Sequence, residues 1–177
     1  MVKKILIAIV VLVAGFAGYV ALQPPEGRVV RSATIAAPPS AVFPHVNELK
    51  AWDAWSPWAK LDPNAKTTFE GPPSGNGAVF GWSGNDDIGE GKMTIVESRP
   101  TELIKIRTEF TKPFAGISNT DFTFKPEGDK TLVTWEMRSE QSFLIRAMCI
   151  IFNGDKIIGD QFEKGLANLK AVAEKAS

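Results

Sequence analysis

Along most of this chain the apolar side chains recur with a period of two, framed at both ends by helical spacing. Residues 28–36 read as a first strand. Ala37-Pro38-Pro39-Ser40 then opens a helix, because proline is tolerated in a first turn. Val42, Phe43, Val46 and Leu49 follow on one helical face, and residues 47–58 read as a second short helix or turn. Alternation then takes over in 66–70, 77–83, 90–98, 102–111, 118–126 and 130–139. Turn residues part these runs, among them Gly71-Pro72-Pro73-Ser74-Gly75-Asn76-Gly77, Ser83-Gly84-Asn85-Asp86-Asp87, Arg99-Pro100, Lys112-Pro113 and Pro126-Glu127-Gly128-Asp129. Such short links force antiparallel pairing, since a parallel crossover needs a dozen or more residues.

Helical spacing returns near the end. Phe143–Phe152 is apolar apart from Arg146 and is expected to be buried, with a second contact on the membrane surface as the alternative, and Asn153-Gly154-Asp155 interrupts it. Residues 158–175 put Phe162, Leu166, Leu169 and Ala173 on one stripe. That stripe needs a partner, and the sheet is the surface large enough to supply it. The expected fold class is therefore α+β: a curved antiparallel sheet of about seven strands wrapped around a long C-terminal helix, with a cavity between them.

Strand phase predicts what lines that cavity. Phe80 and Trp82 share a face, as do Met93 with Ile95, Phe122 with Phe124, and Trp135 with Met137. Ile106, Thr108 and Phe110 share another, opposite Lys105, Arg107 and Glu109. The apolar sets should face the helix, because a one-residue slip would turn every charge inward. With Trp58, Phe162 and Leu166 these residues form the expected lining of an apolar ligand pocket, or equally the wall of a filled core. Glu97 is the strand carboxylate in phase with the apolar set, at a strand end that favours the rim or solvent. Trp52, Trp55 and Trp58 recur every third residue, as core packing under the helices or as an amphipathic pocket mouth.

Ahead of all this, Lys3-Lys4 precedes a run from Ile5 to Leu22 without a charge. As a helix that run spans about 27 Å, close to the hydrocarbon thickness of a bilayer. It reads as an uncleaved anchor. A removed signal peptide is the alternative, although Val20-Ala21-Leu22-Gln23 lacks an Ala-x-Ala cleavage pattern. The two lysines favour a cytoplasmic N-terminus and an extracytoplasmic domain, periplasmic or cell-surface, while Arg28 and Arg31 beyond the run weaken that bias. With a cleaved signal the domain would be secreted. The chain thus divides into an anchor and short linker, 1–26, and one domain, 27–177.

Composition narrows the chemistry. The 177 residues carry 20 Lys+Arg against 20 Asp+Glu, a net charge of zero, with no clustered basic patch of the kind nucleic acid requires. One Cys, Cys149, excludes an internal disulfide and reads as a small buried hydrophobe. His45 is the one histidine and sits at a helix edge, so neither a zinc nor a haem site is readable and no cofactor is expected. Asn85-Asp86-Asp87 with Glu90 lacks calcium-loop spacing and reads as a solvated hairpin tip. Gly75-x-Gly77 and Gly89-x-Gly91 do not precede a helix and read as turn or bulge glycines. No positioned general base is visible, so no catalytic residue is assigned.

In order, Ile35-Ala36-Ala37-Pro38-Pro39-Ser40-Ala41-Val42-Phe43, then Trp52-Asp53-Ala54-Trp55-Ser56-Pro57-Trp58, Thr131-Leu132-Val133-Thr134-Trp135 and Phe162-Glu163-Lys164-Gly165-Leu166-Ala167-Asn168-Leu169-Lys170 resemble the SRPBCC superfamily. These are the START-like, or polyketide cyclase/dehydrase-like, helix-grip domains, here of the membrane-anchored bacterial type. The resemblance spans roughly residues 28–175 and rests on the ordered set, since no single motif is specific. It implies the helix-grip fold and a cavity for a hydrophobic small molecule or lipid. It selects no activity, because the superfamily holds cyclases, hydrolases, lipid carriers, hormone receptors and chaperone cofactors. Three functions follow as expectations: a membrane-tethered binder of an apolar ligand; an enzyme on a hydrophobic substrate, drawing on Thr108 or Glu97; or a protein-interaction domain with a filled core.

Overall fold

The computed structural model describes residues 1–175. A helix α1 (Val2–Leu22) leads into strand β1 (Glu26–Ile35), helix α2 (Pro39–Asn47) and a 3₁₀ turn (Leu49–Ala54). Strands β2 (Lys66–Glu70), β3 (Val79–Ser83), β4 (Glu90–Arg99), β5 (Leu103–Lys112), β6 (Gly116–Glu127) and β7 (Lys130–Glu140) follow, then helices α3 (Phe143–Phe152) and α4 (Gly154–Ala173). All seven strands form one antiparallel sheet in the order β1-β7-β6-β5-β4-β3-β2. Each run of alternating sequence becomes a strand, because alternation is what a sheet with one buried face demands.

Helix α4 lies across the concave face, chiefly against β1. Its stripe Phe162, Leu166, Leu169 and Ala173 is buried. Burying each of the larger side chains contributes about 1.5–3 kcal/mol. Close approach is possible because the helix carries a glycine where the sheet is bulkiest. A Cβ on Gly165 would lie 2.8 Å from Trp135 Cζ3 and 3.2 Å from Pro57 Cδ. The 3₁₀ turn is pinned to α2 by its tryptophans: Trp52 Nε1 donates to Val46 O and Trp55 Nε1 to His45 O, both at 2.9 Å. Trp52 and Trp55 are core residues, whereas Trp58 is half-buried.

Three readings of the sequence need correction. Helix α4 begins at Gly154, not near 158: Asn153 adopts a left-handed conformation (φ 54°), closes α3, and caps α4 by accepting from Lys156 N. The apparent interruption is therefore a shared cap. Glu97 does not share the apolar face. The β4–β5 register shifts between Ile95 and Glu97, so that Glu97 lies opposite Lys105 and pairs with it at 2.8 Å. One inserted residue is enough to reverse the facing of everything after it. Finally, no residue of α3 is buried, because α4 already occupies the sheet and α3 is left at its margin. Cys149 on α3 is accordingly half-buried rather than buried.

Helix α1 stands apart, and it is long and apolar enough to cross a membrane or to act as a signal sequence. Its one buried residue is Val20. Its neighbour is α3, from which Arg146 Nη1 donates to Gln23 O at 2.7 Å, a cation at the C-terminal end of α1.

Candidate functional site

Register sorts the inner face of the sheet into cross-strand rows. One row runs Arg31, Trp135, Phe122, Ile104. The next runs Val29, Met137, Thr120, Ile106, Ile95, and the next Gly27, Ser139, Ser118, Thr108, Met93, Phe80. The last holds Gly116, Phe110, Gly91 and Trp82. Helix α4 covers the first row: Phe162 stacks on Trp135 with centroids 4.1 Å apart, and Arg31 pairs with Asp155 and Glu163 along its N-terminal half. Gly159 lies against Arg31 and α4 starts five residues earlier, at Gly154; in the next row Val29, Thr120, Ile106 and Ile95 are buried as well.

The expected lining residues divide by burial. Ile95, Ile106, Phe122, Phe124, Trp135, Phe162 and Leu166 are buried in the core, around the Trp135–Phe162 stack and Phe122 at 4.7 Å from Trp135. Trp58 packs edge-on against Trp135 at 5.9 Å and remains half-buried. Phe80, Trp82, Met93 and Met137 are half-buried, Phe110 is 37% exposed, and Thr108 is buried among them. Trp82 anchors this open end: Nε1 donates to Ile88 O at 2.9 Å, Phe110 meets its ring edge-on at 5.8 Å, and Phe80 stacks at 6.0 Å. Gly91 makes the arrangement possible, since a Cβ there would sit 2.9 Å from the Trp82 ring.

Polar groups at this end were only partly legible. Thr108 was; Ser118 and Thr120, both buried, follow from the same alternation as Phe122 and Phe124 but carry no signal of their own. The Trp135 indole N–H is buried without an acceptor among the described residues. Arg31 is the one charged residue in these inner rows, and its place follows from the phase of Val29 and Ile35. His45 lies off the inner face and is half-buried on α2. Cys149 is not an activated thiol, because burial pushes its pKa up. Among the described residues no three His, Cys, Asp or Glu side chains gather as a metal site.

Charges occupy the outer face instead. Arg28 holds Glu136 by two hydrogen bonds of 2.9 Å, Arg138 meets Asp121 at 2.6 Å, and Lys92 meets Glu109 at 3.1 Å. A concavity of about 340 Å³ on this side is lined by Glu26, Val96, Lys105, Ile106, Asn119, Asp121 and Arg138. A second, of about 200 Å³, lies between the 3₁₀ turn and β2–β3. Both differ from the open end described above.

The ladder sets an acid limit. Hydrogen bonds from Arg28, Lys112, Lys105 and Lys92 hold Glu136, Glu90, Glu97 and Glu109, respectively, below the ordinary carboxylate range. The unfolded chain then binds more protons than the folded one as pH falls through that range, near 4.3 for a free Glu. Stability is expected to hold from about pH 7 to 5 and to drop below that. Thermal denaturation at stepped pH measures it, and Glu136→Gln should shallow the drop.

A family model described as polyketide cyclase / dehydrase and lipid transport matches residues 26–174. No curated protein shows significant sequence similarity to the chain. Among solved structures, MLL2253 from Mesorhizobium loti superposes with a TM-score of 0.63 at 16% identity, covering 85% of this chain and 99% of that one. TTHA0849 from Thermus thermophilus gives 0.61 at 16% identity, covering 85% and 99%. The ZhuI aromatase/cyclase from Streptomyces sp. R1128 gives 0.61 at 13% identity, covering 85% and 94%. At such identities the structures establish a common fold.

Proposed function

The chain belongs to the polyketide cyclase / dehydrase and lipid transport family, and from that premise we propose that it is a membrane-tethered domain holding a hydrophobic small molecule or lipid on the inner face of its sheet. The observation that carries the reading is the division of that face. Where α4 covers it, Trp135, Phe122 and Phe162 pack as a core. Elsewhere on the same face, Phe80, Trp82, Met93, Phe110 and Met137 keep apolar surface open around buried Thr108, Ser118 and Thr120. Ligand sites have this make-up, mostly apolar walls with a few placed polar groups.

Binding fits these residues better than catalysis. The inner rows offer hydroxyls and one arginine, which is ion-paired to Asp155 and Glu163 of α4, and the strand carboxylates lie on the outer face. Tethering rests on α1, whose length and composition suit a bilayer span.

Residues 26–177 correspond to nearly the whole length of the solved neighbours, so they suit a test in solution. Purified from cells and analysed by native mass spectrometry, this domain should carry adducts of lipid mass and take up a fluorescent fatty acid with one-to-one stoichiometry. A bare mass together with no uptake would sink the proposal.

A further inference from the structure

The fold leaves an unusual amount of apolar surface at one end. On α3, Leu144 is 64% exposed, Ile151 61% and Phe152 63%. Beside them Ile157, at the start of α4, and Phe114 and Ile117, around the β5–β6 turn, are also exposed. A soluble domain rarely shows contiguous apolar patches of more than a few hundred Å².

Register places these groups together. Gly27, Ser139 and Ser118 lie in one row, so the start of β1, the end of β7 and the start of β6 meet at the same end of the sheet. Phe110 lies opposite Gly116, which puts the β5–β6 turn past that same end. Helices α1 and α3 attach there too: Gln141 N donates to Pro25 O at 2.7 Å, and Arg146 donates to Gln23 O. The one charge of α3 is thus turned toward the end of α1, leaving the exposed side of α3 apolar. The open rows of the inner face, with Phe110 and Trp82, finish at this end as well.

We infer that this end of the domain docks on the bilayer in which α1 is anchored, with α3 lying in the interface and Phe114 and Ile117 dipping beside it, so that the ligand site opens onto lipid. The bilayer is the occupant because the patch is continuous with α1. A span that leaves the membrane near Leu22 holds α3 at the membrane surface through the packing of α1 on α3 and the Arg146–Gln23 hydrogen bond, with no further partner required. The inference rests on the reading of α1 as a retained span, and its test separates the two.

The full chain, with Cys149→Ser, is reconstituted in nanodiscs of phosphatidylcholine and phosphatidylglycerol. Single cysteines are introduced by Phe152→Cys, Phe114→Cys, Phe16→Cys or Asp129→Cys, and each is labelled with an environment-sensitive fluorophore. Asp129 lies in the β6–β7 turn at the far end of the sheet. Lipids with a spin label on the acyl chain are expected to quench positions 16, 114 and 152 severalfold more than 129, with aqueous iodide giving the reverse order. Quenching at 16 but not at 114 and 152 overturns the docking while the span stands. Quenching at 114 and 152 but not at 16 supports docking and sinks the span. Equal lipid quenching at all four positions, or at none, overturns the docking.

Discussion

Trp135→Ala should be the most damaging single substitution in the domain. The indole is 3% exposed, stacks on Phe162 at 4.1 Å, and lies within 4.7–6.2 Å of Phe122, Trp55, Trp58 and Trp52. Removing it leaves a cavity bounded by Phe162 of α4, by Trp52, Trp55 and Trp58, and by Phe122 of the sheet, at a cost of about 3–5 kcal/mol. That is a large share of the roughly 5–15 kcal/mol that holds a typical domain together. In a chain of this size each kcal/mol moves the midpoint by roughly 2–4 °C, so thermal denaturation should show a fall on the order of 10 °C. Trp135→Phe sharpens the test. It keeps a ring on Phe162 and also removes the buried indole N–H, whose unpaired burial costs about 1–3 kcal/mol. The phenylalanine variant should therefore recover most of the lost stability. If it falls as far as alanine, either the stack contributes little or the N–H is satisfied by a ligand in the native protein. Repeating the melt after ligand removal distinguishes these.

That this tryptophan is central was legible from its neighbours in sequence. Val133, Trp135 and Met137 alternate against Glu136 and Arg138, and the structure keeps that facing. The same logic held across β5 and β6, where each strand alternates without interruption. It failed at Val96, because a bulge adds one residue to a strand without changing the composition that marks it as strand. The burial expected for Phe143–Phe152 failed for a different reason. Apolar composition says that water must be excluded, and it does not say by what; α4 has the better stripe and takes the sheet, so α3 remains uncovered. The expected site was legible as a face but not as a boundary. Phase put Phe122 and Met137 on one surface, but alternation does not mark where along that surface buried positions such as Ile106 and Ile95 give way to half-buried ones such as Met93 and Phe80.

The boundary itself can be tested with Met137→Trp, which should abolish ligand uptake while leaving the fold intact. Met137 lies one row past Arg31 and Trp135, between Val29 and Thr120, and is half-buried. Met137 packs against the core on one side, and a larger ring is expected to extend from its exposed side into the space the ligand is proposed to occupy. Overpacking a closed core costs about 1–3 kcal/mol, whereas a ring entering an open trough should move the midpoint by only a few degrees. Uptake of the fluorescent fatty acid by residues 26–177 should weaken at least tenfold, equivalent to about 1.4 kcal/mol of binding energy. Glu136→Ala is the companion variant. It alters the adjacent position on the opposite face, where Glu136 is held by Arg28, and should leave uptake within about twofold of the parent. Should Met137→Trp bind as well as the parent, the ligand does not lie on these rows. Should both variants lose binding together, the loss reports on the strand rather than on the site.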